Sequence, residues 1–488
     1  MDILLINPRG LKFTPGNDMP PLGLASIGCV SESEGFSVSI LDLEIEPEDF
    51  DLSAYIKAQA PKIVGIGGTS HSRFESFRIA GIAKSVSSEI LTVYGGCHAS
   101  FTAEDTLSRV DDIDIVVRGE GEVTFRELAK SFLLKKGDIG QLSGLSGRMG
   151  RKIFHNPSRD RISDLDSLSY SRHLLKMDRY FSPLDILNIP SASIMTSRGC
   201  PYDCYFCSAS TMFGRVCTRH SAEYVVDEME YCKRDLKIRG IKIFDSTFTT
   251  SRQHVVSIAE EMIKRKLGLP WECEIRADTV DREMLSLMKK AGCYYVDFAV
   301  ESASGEVSKT IGKEIPLTQA ESVLRWCNEL DIKTKVFFSF GHVGETMKSA
   351  LKTLAYIEKR IDLITIPALN WGVRIYPGTR LERYALEHGL LSKEFSWAEP
   401  FKDPEGFPFT APGVPVVLQE SFQIREFNKA LAHWDWILER RLYGRFFTPE
   451  GFKNLLLKAK EKLFSGGLLK SLKWYLNRFI SITRRRYR

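Results

Sequence analysis

The sequence has no run of about 18 uninterrupted apolar residues, so no segment reads as a membrane span. Its first residues, Met1-Asp2-Ile3-Leu4-Leu5-Ile6, put no basic segment ahead of a long apolar stretch and do not read as a secretory signal. A paired cysteine framework is missing too. Ten cysteines are scattered over 488 residues and none follows Cys327, which fits a reducing, cytoplasmic setting and excludes a cysteine-rich domain in the last third. Acidic residues are scarce at one end: from Arg440 onward 14 Lys and Arg face 2 Asp and Glu, so the tail is +12, the rest of the chain −7, and the net +5 belongs to the tail. The length is too great for one ordinary core, and two or three domains are expected.

What the chain does have is Ser197-Arg198-Gly199-Cys200-Pro201-Tyr202-Asp203-Cys204-Tyr205-Phe206-Cys207. Three cysteines spaced C-x3-C-x2-C, on a loop after the apolar run Ala192 to Met195, form a thiolate claw. Such a claw can hold three irons of a 4Fe-4S cluster and leave the fourth without a protein ligand, open for chemistry. Zinc, or three reduced core cysteines, are the competing readings; a closed zinc site needs a fourth ligand, for which Cys217 or His220 would have to fold back.

Upstream of that loop, strands alternate with helices, which means a doubly wound parallel sheet. Strands are expected at 2–6, 38–41, 63–67, 91–94 and 113–117, with a helix opening at Pro20-Pro21 and others near 73–87 and before Phe132. Ligands bind such sheets at the carboxyl ends of the strands. Those ends carry Gly67-Gly68-Thr69-Ser70-His71, Gly95-Gly96-Cys97-His98 and Gly119-Glu120-Gly121-Glu122, where glycine lets backbone approach a flat or bulky ligand. Residues 137–189 have weak periodicity and read as a linker, with turns over 140–150, a short strand at 152–155 and a helix near 170–176.

From Ser193 the pattern resumes as six βα units, the count of a partial (β/α)6 TIM-like barrel, active at the carboxyl ends of its strands. Just past those strands stand the cysteines, Asp245-Ser246-Thr247, Arg276-Ala277-Asp278, Glu301-Ser302, Gly341-His342 and Arg374 to Tyr376. The expected domains are 1–136, a linker at 137–189, a barrel at 190–390 and a lid with a helical extension at 391–488.

The cysteine loop, with Phe206 before its last cysteine, resembles the signature of the radical S-adenosylmethionine (SAM) superfamily. The glycine loops ahead of it resemble the cobalamin-binding Rossmann domain of the cobalamin-binding radical SAM family. The likeness covers roughly residues 1–385. It implies a 4Fe-4S cluster on Cys200, Cys204 and Cys207, with Phe206, Asp245, Arg276 and Glu301 around SAM. It further implies cobalamin contacts from Thr69, Ser70, Gly95, Gly96, His98, Gly119 and Glu120. Two departures stand out. Asn7-Pro8-Arg9-Gly10 lacks the histidine of the Asp-x-His-x-x-Gly motif carried by those cobalamin domains that supply a histidine to cobalt. Gly341-His342-Val343-Gly344-Glu345 lacks the proline usual in the family's fifth-strand motif, and His342, with Tyr376, becomes a candidate catalytic residue.

The implied activity is reductive SAM cleavage, hydrogen abstraction and methyl transfer from cobalamin to carbon, with cyclisation or rearrangement as the alternative and a non-catalytic cluster or corrinoid sensor as a different class. A small-molecule or lipid-like substrate and a reducing partner such as flavodoxin or ferredoxin follow. Residues 395–417, rich in proline, read as a lid, and 420–441 as a helix. Leu455, Leu456, Leu463, Leu472, Leu476 and Ile480 lie at helical spacing among lysines and arginines. Such a tail can pack on its own protein, lie on anionic lipid as a peripheral membrane contact, or hold another subunit, with nucleic acid set aside.

Overall fold

The computed structural model describes residues 1–10, 19–150, 152–180, 182–183, 187, 189–401, 413–417, 426–427 and 429–430. Met1–Phe422 form one compact unit and Gln423–Arg488 a second. Most of the proline-rich stretch, nearly all of the helix expected at 420–441 and the whole basic tail lie outside the described residues.

Two seven-stranded sheets organise the first unit. The first contains β1 (Ile3–Asn7), β2 (Val38–Asp42), β3 (Ile63–Ile66), β4 (Leu91–Gly95), β5 (Ile115–Val117), β6 (Leu145–Met149) and β7 (Lys152–His155). Its order is β2-β1-β3-β4-β5-β6-β7. The first five strands run parallel, which demands cover on both faces. The side chains divide accordingly: Leu4, Ile6, Val64 and Ile66 join one buried cluster, Ile3, Leu5, Ile63 and Val93 another. That alternation follows from the two-residue period of a strand.

β6 and β7 extend the sheet as an antiparallel hairpin, correcting the expectation of turns over 140–150. The misleading residue is Gly147. A Cβ there would lie 2.6 Å from Ile115 Cδ1 and 2.7 Å from Phe154 Cζ, so packing inside the sheet, not a turn, requires glycine. The helix Leu52–Gln59, capped by Asp51 accepting from the Ala54 N–H at 2.9 Å, was not expected. In place of a helix at 170–176 there is a short 3-10 turn, Arg172–Leu174.

The second sheet contains β8 (Ser182–Pro183), β9 (Pro190–Ile194), β12 (Gly240–Ile243), β13 (Trp271–Glu274), β14 (Cys293–Glu301), β15 (Lys333–Phe340) and β16 (Ile366–Trp371). Between β9 and β12 lies a separate two-stranded ribbon, β10 (Ser197–Arg198) with β11 (Thr218–Arg219). From β9 through β16 the six long strands are parallel and neighbours in chain order, each followed by a helix, the connectivity of a partial (β/α)6 barrel. The caps are local and legible: Ser221, Ser251, Asp281, Thr346 and Thr379 each accept from a backbone N–H of the helix they open.

The segment between the sheets is strapped down. Arg172 is fully buried and donates to Glu228 at 2.7 Å and to the Ser193 carbonyl at 2.8 Å. Asp166 receives His220 Nδ1 at 3.0 Å and the Ser221 N–H, and Arg161 donates to Thr218 Oγ1 at 2.8 Å.

Candidate cluster and cofactor site

The cysteine loop leaves β9 through Thr196 and Ser197. Asp245, just past β12, is fully buried and spends both oxygens there. It accepts from the Thr196 N–H (2.6 Å) and hydroxyl (2.5 Å) and from the Ser197 N–H (3.1 Å) and hydroxyl (2.7 Å). Burial pushes its carboxyl above the ordinary range even against these four donors. Asp245 therefore fixes the entry to the loop from behind.

The β10–β11 ribbon then closes the loop at its neck. Gly199 sits at φ +102°, and a Cβ on it would come 2.5 Å from the Val216 carbonyl oxygen. Gly199→Ala is accordingly expected to push the loop off its neck and destabilise it by about 1–3 kcal/mol from backbone strain alone. Iron content after anaerobic reconstitution, compared with the native chain, measures the effect.

Cys200, Cys204 and Cys207 are all half-buried, with Cys200 Sγ 4.0 Å from Thr247 Oγ1 and the Cys207 N–H on the Cys204 carbonyl at 3.0 Å. Among the described residues no three His, Cys, Asp or Glu side chains converge to hold a single ion. In a cubane each thiolate takes a different iron, and the three cysteines of this loop supply that donor set. His220 does not fold back: it is bonded to Asp166 and stacked on Tyr224 with ring centres 4.2 Å apart. Burial pushes the Cys204 and Cys207 thiols above their ordinary value, against the opposing pull of Lys313.

Around the loop the later strand ends meet. The Arg276 guanidinium lies 3.8 Å over the Tyr202 ring and donates to Asp278 at 2.7 Å. Glu301 adopts φ +63°, a left-handed conformation uncommon outside glycine, beside a register shift in β14. Its carboxylate pairs with Lys313 at 3.1 Å and accepts from Ser339 Oγ at 2.5 Å. Burial alone would raise its pKa, but Lys313 and Ser339 outweigh that and hold it below the usual value.

His342 is fully buried, with Nε2 2.7 Å from Ser339 Oγ and Nδ1 3.3 Å from the Tyr205 hydroxyl. Burial drives its pKa down to about 4, so it is neutral and serves as a hydrogen-bonded bridge between the cysteine loop and Glu301. Where the family has proline, Val343 supplies an N–H, which donates to the same Tyr205 hydroxyl at 3.2 Å. Glu345 holds the turn by accepting from Gly341 (2.6 Å) and His342 (3.2 Å) N–H groups.

A cavity of about 330 Å³ opens at the carboxyl ends of the first sheet. Gly65, Gly67, Gly68, Gly95, Gly96 and Gly119 line one side; Met195, Arg198, Met212 and Phe213, from around the cysteine loop, line the other. Internal packing or a positive φ accounts for Gly65, Gly68, Gly96 and Gly119, whereas a Cβ on Gly23, also in the lining, would meet no protein atom within 4 Å. A glycine cradle with apolar walls, of a volume suited to a nucleotide-sized group, fits part of a corrinoid.

Of the expected contacts, Gly95, Gly96, Gly119 and Glu120 line this cavity, whereas Thr69, Ser70 and His98 do not. His98 is buried behind it, Nδ1 3.0 Å from Ser70 Oγ and its ring edge-on to Trp397. Thr69 bonds Ser72. Tyr376 reaches across from the second sheet to His71, hydroxyl to Nε2 at 3.0 Å. Gly121 and Glu122, expected in a loop, begin the helix Gly121–Leu134. No histidine lines the cavity among the described residues. We expect 15N-histidine labelling to leave the electron paramagnetic resonance (EPR) spectrum of bound cob(II)alamin unchanged; nitrogen triplets that become doublets on labelling would contradict this.

A glycine-lined crevice that fits part of a corrinoid, set against a three-thiolate loop, points to an enzyme class that pairs two cofactors. The B12 binding domain model matches residues 8–129 and the radical SAM superfamily model residues 194–357. An uncharacterized methyltransferase of Pyrococcus horikoshii is 33% identical over 80% of this chain and 84% of its own. The hopanoid C-3 methylase of Methylococcus capsulatus is 29% identical over 69% of this chain and 64% of its own. An anaerobic magnesium-protoporphyrin IX monomethyl ester cyclase of Rubrivivax gelatinosus is 27% identical over 72% and 65%. This chain thus spans just under two thirds of the latter two. In fold it matches the methyltransferase TsrM from Kitasatospora setae, solved with cobalamin and a [4Fe-4S] cluster, at a TM-score of 0.67 and 22% identity over 80% of this chain and 78% of that one.

The chain belongs to the cobalamin-binding radical SAM family. It is a radical SAM enzyme whose cofactors are a 4Fe-4S cluster, SAM and cobalamin. Sequence reasoning had missed Arg198, Tyr205, Lys313 and Glu345. Arg198 and Tyr205 lie within the cysteine loop and Glu345 within the Gly341–Glu345 turn, where no local pattern marks their roles, and Lys313 lies outside every motif. No helix among the described residues is long and apolar enough to cross a membrane.

Proposed function

We propose that this enzyme methylates an unactivated carbon of a small-molecule or lipid-like substrate. The observation that carries the reading is the shared cavity, walled by first-sheet glycines and by Met195, Arg198, Met212 and Phe213 beside the cysteine loop. When bound, the cofactors supply a 5′-deoxyadenosyl radical from SAM and a methyl group on cobalamin. In this reading Cys200, Cys204 and Cys207 hold the cluster, while Arg276 and Glu301 face SAM. Lys313 and Ser339 keep Glu301 ionised, Phe206 packs near the His342 ring (centres 5.8 Å apart), and the apolar wall excludes water from the reacting space. The domain division at residues 136 and 190, an electron donor of the flavodoxin or ferredoxin kind, and peripheral membrane contact through the tail belong to the same proposal. Liposome flotation with and without residues 445–488 tests the last of these.

The cyclase relatives favour one second reading, oxidative ring closure. Anaerobic turnover with methyl-deuterated SAM and extracts of the producing cells separates the two. Methylation yields both 5′-deoxyadenosine and S-adenosylhomocysteine, with the label in product. Ring closure yields 5′-deoxyadenosine without S-adenosylhomocysteine, and a sensor yields neither.

A further inference from the structure

β10 is two residues long, and successive side chains of a strand point to opposite faces. Ser197 turns to the second sheet, where Asp245 takes its N–H and hydroxyl. Arg198 turns the other way. Its guanidinium spans Glu120 (2.8 Å) and Glu122 (2.7 Å), at the start of the helix Gly121–Leu134 of the first sheet, and all three side chains are less than a tenth exposed. The carboxylates are themselves fixed: Glu120 accepts the Ile162 N–H at 2.8 Å and Glu122 the Ser26 hydroxyl at 3.0 Å. Two acceptors on one planar fork set its orientation as well as its position, which a single ammonium cannot do.

Arg198 also lines the cavity, and it stands two residues before Cys200, at most about 7 Å of chain. Any slip of the guanidinium therefore carries the first thiol with it. Resting on the cobalamin reading above, we propose that Arg198 is a positioning residue that sets the distance between the cysteine loop and the corrinoid cavity. Glu120 and Glu122, which share the cavity lining, hold its guanidinium. The Gly-Glu-Gly-Glu stretch thus directs its acids to the ribbon at the neck of the cysteine loop.

The test needs no substrate. The full chain is reconstituted without oxygen with iron, sulfide and hydroxocobalamin, then reduced until cob(II)alamin and the reduced cluster coexist. The dipolar splitting of their EPR lines falls with the cube of their separation. The native chain is expected to give one resolved splitting. Arg198→Met, with native iron and corrinoid content, should lose that resolution to a spread of about 1 Å, the looseness expected when a supporting contact is removed. Arg198→Lys should fall between. The double variant Glu120→Gln with Glu122→Gln keeps volume and hydrogen-bonding capacity and should resemble Arg198→Met; it carries the test if Arg198→Met does not melt cooperatively. A splitting in the variants that superimposes on the native one overturns the proposal. So does loss of corrinoid from Arg198→Lys with iron retained, which would make Arg198 a direct cofactor contact. A native chain that binds iron and cleaves SAM yet takes up no corrinoid sinks the cobalamin reading itself, and is recognised by that combination.

Discussion

A Cys204→Ala chain, reconstituted with iron and sulfide in the absence of oxygen, is expected to release no 5′-deoxyadenosine from SAM above background. Removing one thiolate leaves two iron corners without a protein ligand. Cys217 sits near the neck of the loop beside Gly199, and His220 is engaged by Asp166. The variant should nevertheless fold. The loop it sits in is tied by the β10–β11 ribbon and by Asp245, neither of which involves a cysteine side chain. Iron per chain, product formation and thermal melting together make the check: activity and iron should vanish while the melting temperature of the metal-free chain stays within experimental scatter. Substantial 5′-deoxyadenosine from the variant would reject the cluster assignment.

The second large effect is expected at Asp245, whose two carboxylate oxygens are engaged behind the cysteine loop. Asp245→Ala removes the acceptor of four hydrogen bonds and strands the Thr196 and Ser197 donors in a buried setting. Hydrogen bonds to a charged group are worth about 1.5–3 kcal/mol each, and an unmet buried donor costs a comparable amount, so a loss of at least about 3 kcal/mol is expected. Against a typical domain stability of about 5–15 kcal/mol this is a large fraction. Asp245→Asn preserves the shape and one carbonyl acceptor and should lose less. Urea unfolding of the metal-free chains gives the comparison. If the alanine variant unfolds with the native midpoint, the carboxylate is not what pins the loop entry, and its role belongs with the cofactors as the family resemblance implied.

Much of the architecture could be read from residue order because parallel strands buried on both faces leave an unmistakable trace. Ile3 to Ile6 and Ile63 to Ile66 are continuous apolar runs, and helix caps such as Asp281 and Thr346 announce themselves. The hairpin at Leu145–Met149 escaped because glycine there answers to Ile115 and Phe154, residues far away in sequence or across a turn, whose crowding no local pattern records. The thiolate claw was equally plain, since its three cysteines are neighbours. The polar supports were not. Arg198 meets Glu120 and Glu122 across 78 and 76 residues, and Tyr205 meets His342 across 137. A charge or hydroxyl in a loop looks solvated until the fold supplies its partner. Asp245 shows the same limit from the other side: its place after a strand was legible, but the direction of its carboxylate, toward the backbone behind the loop, was not.

The ribbon at the neck of the cysteine loop bears on how the enzyme is charged with iron. Ser197 pairs with Arg219 and Arg198 with Thr218, so the stretch that carries all three thiols is a closed ring before any metal arrives. The entropy of ring closure has been lost during folding, and binding is left to select side-chain rotamers within a small circle. The metal-free protein therefore presents a half-assembled chelator, whose three sulfurs bind with a chelate effect that an open loop of the same composition would lack.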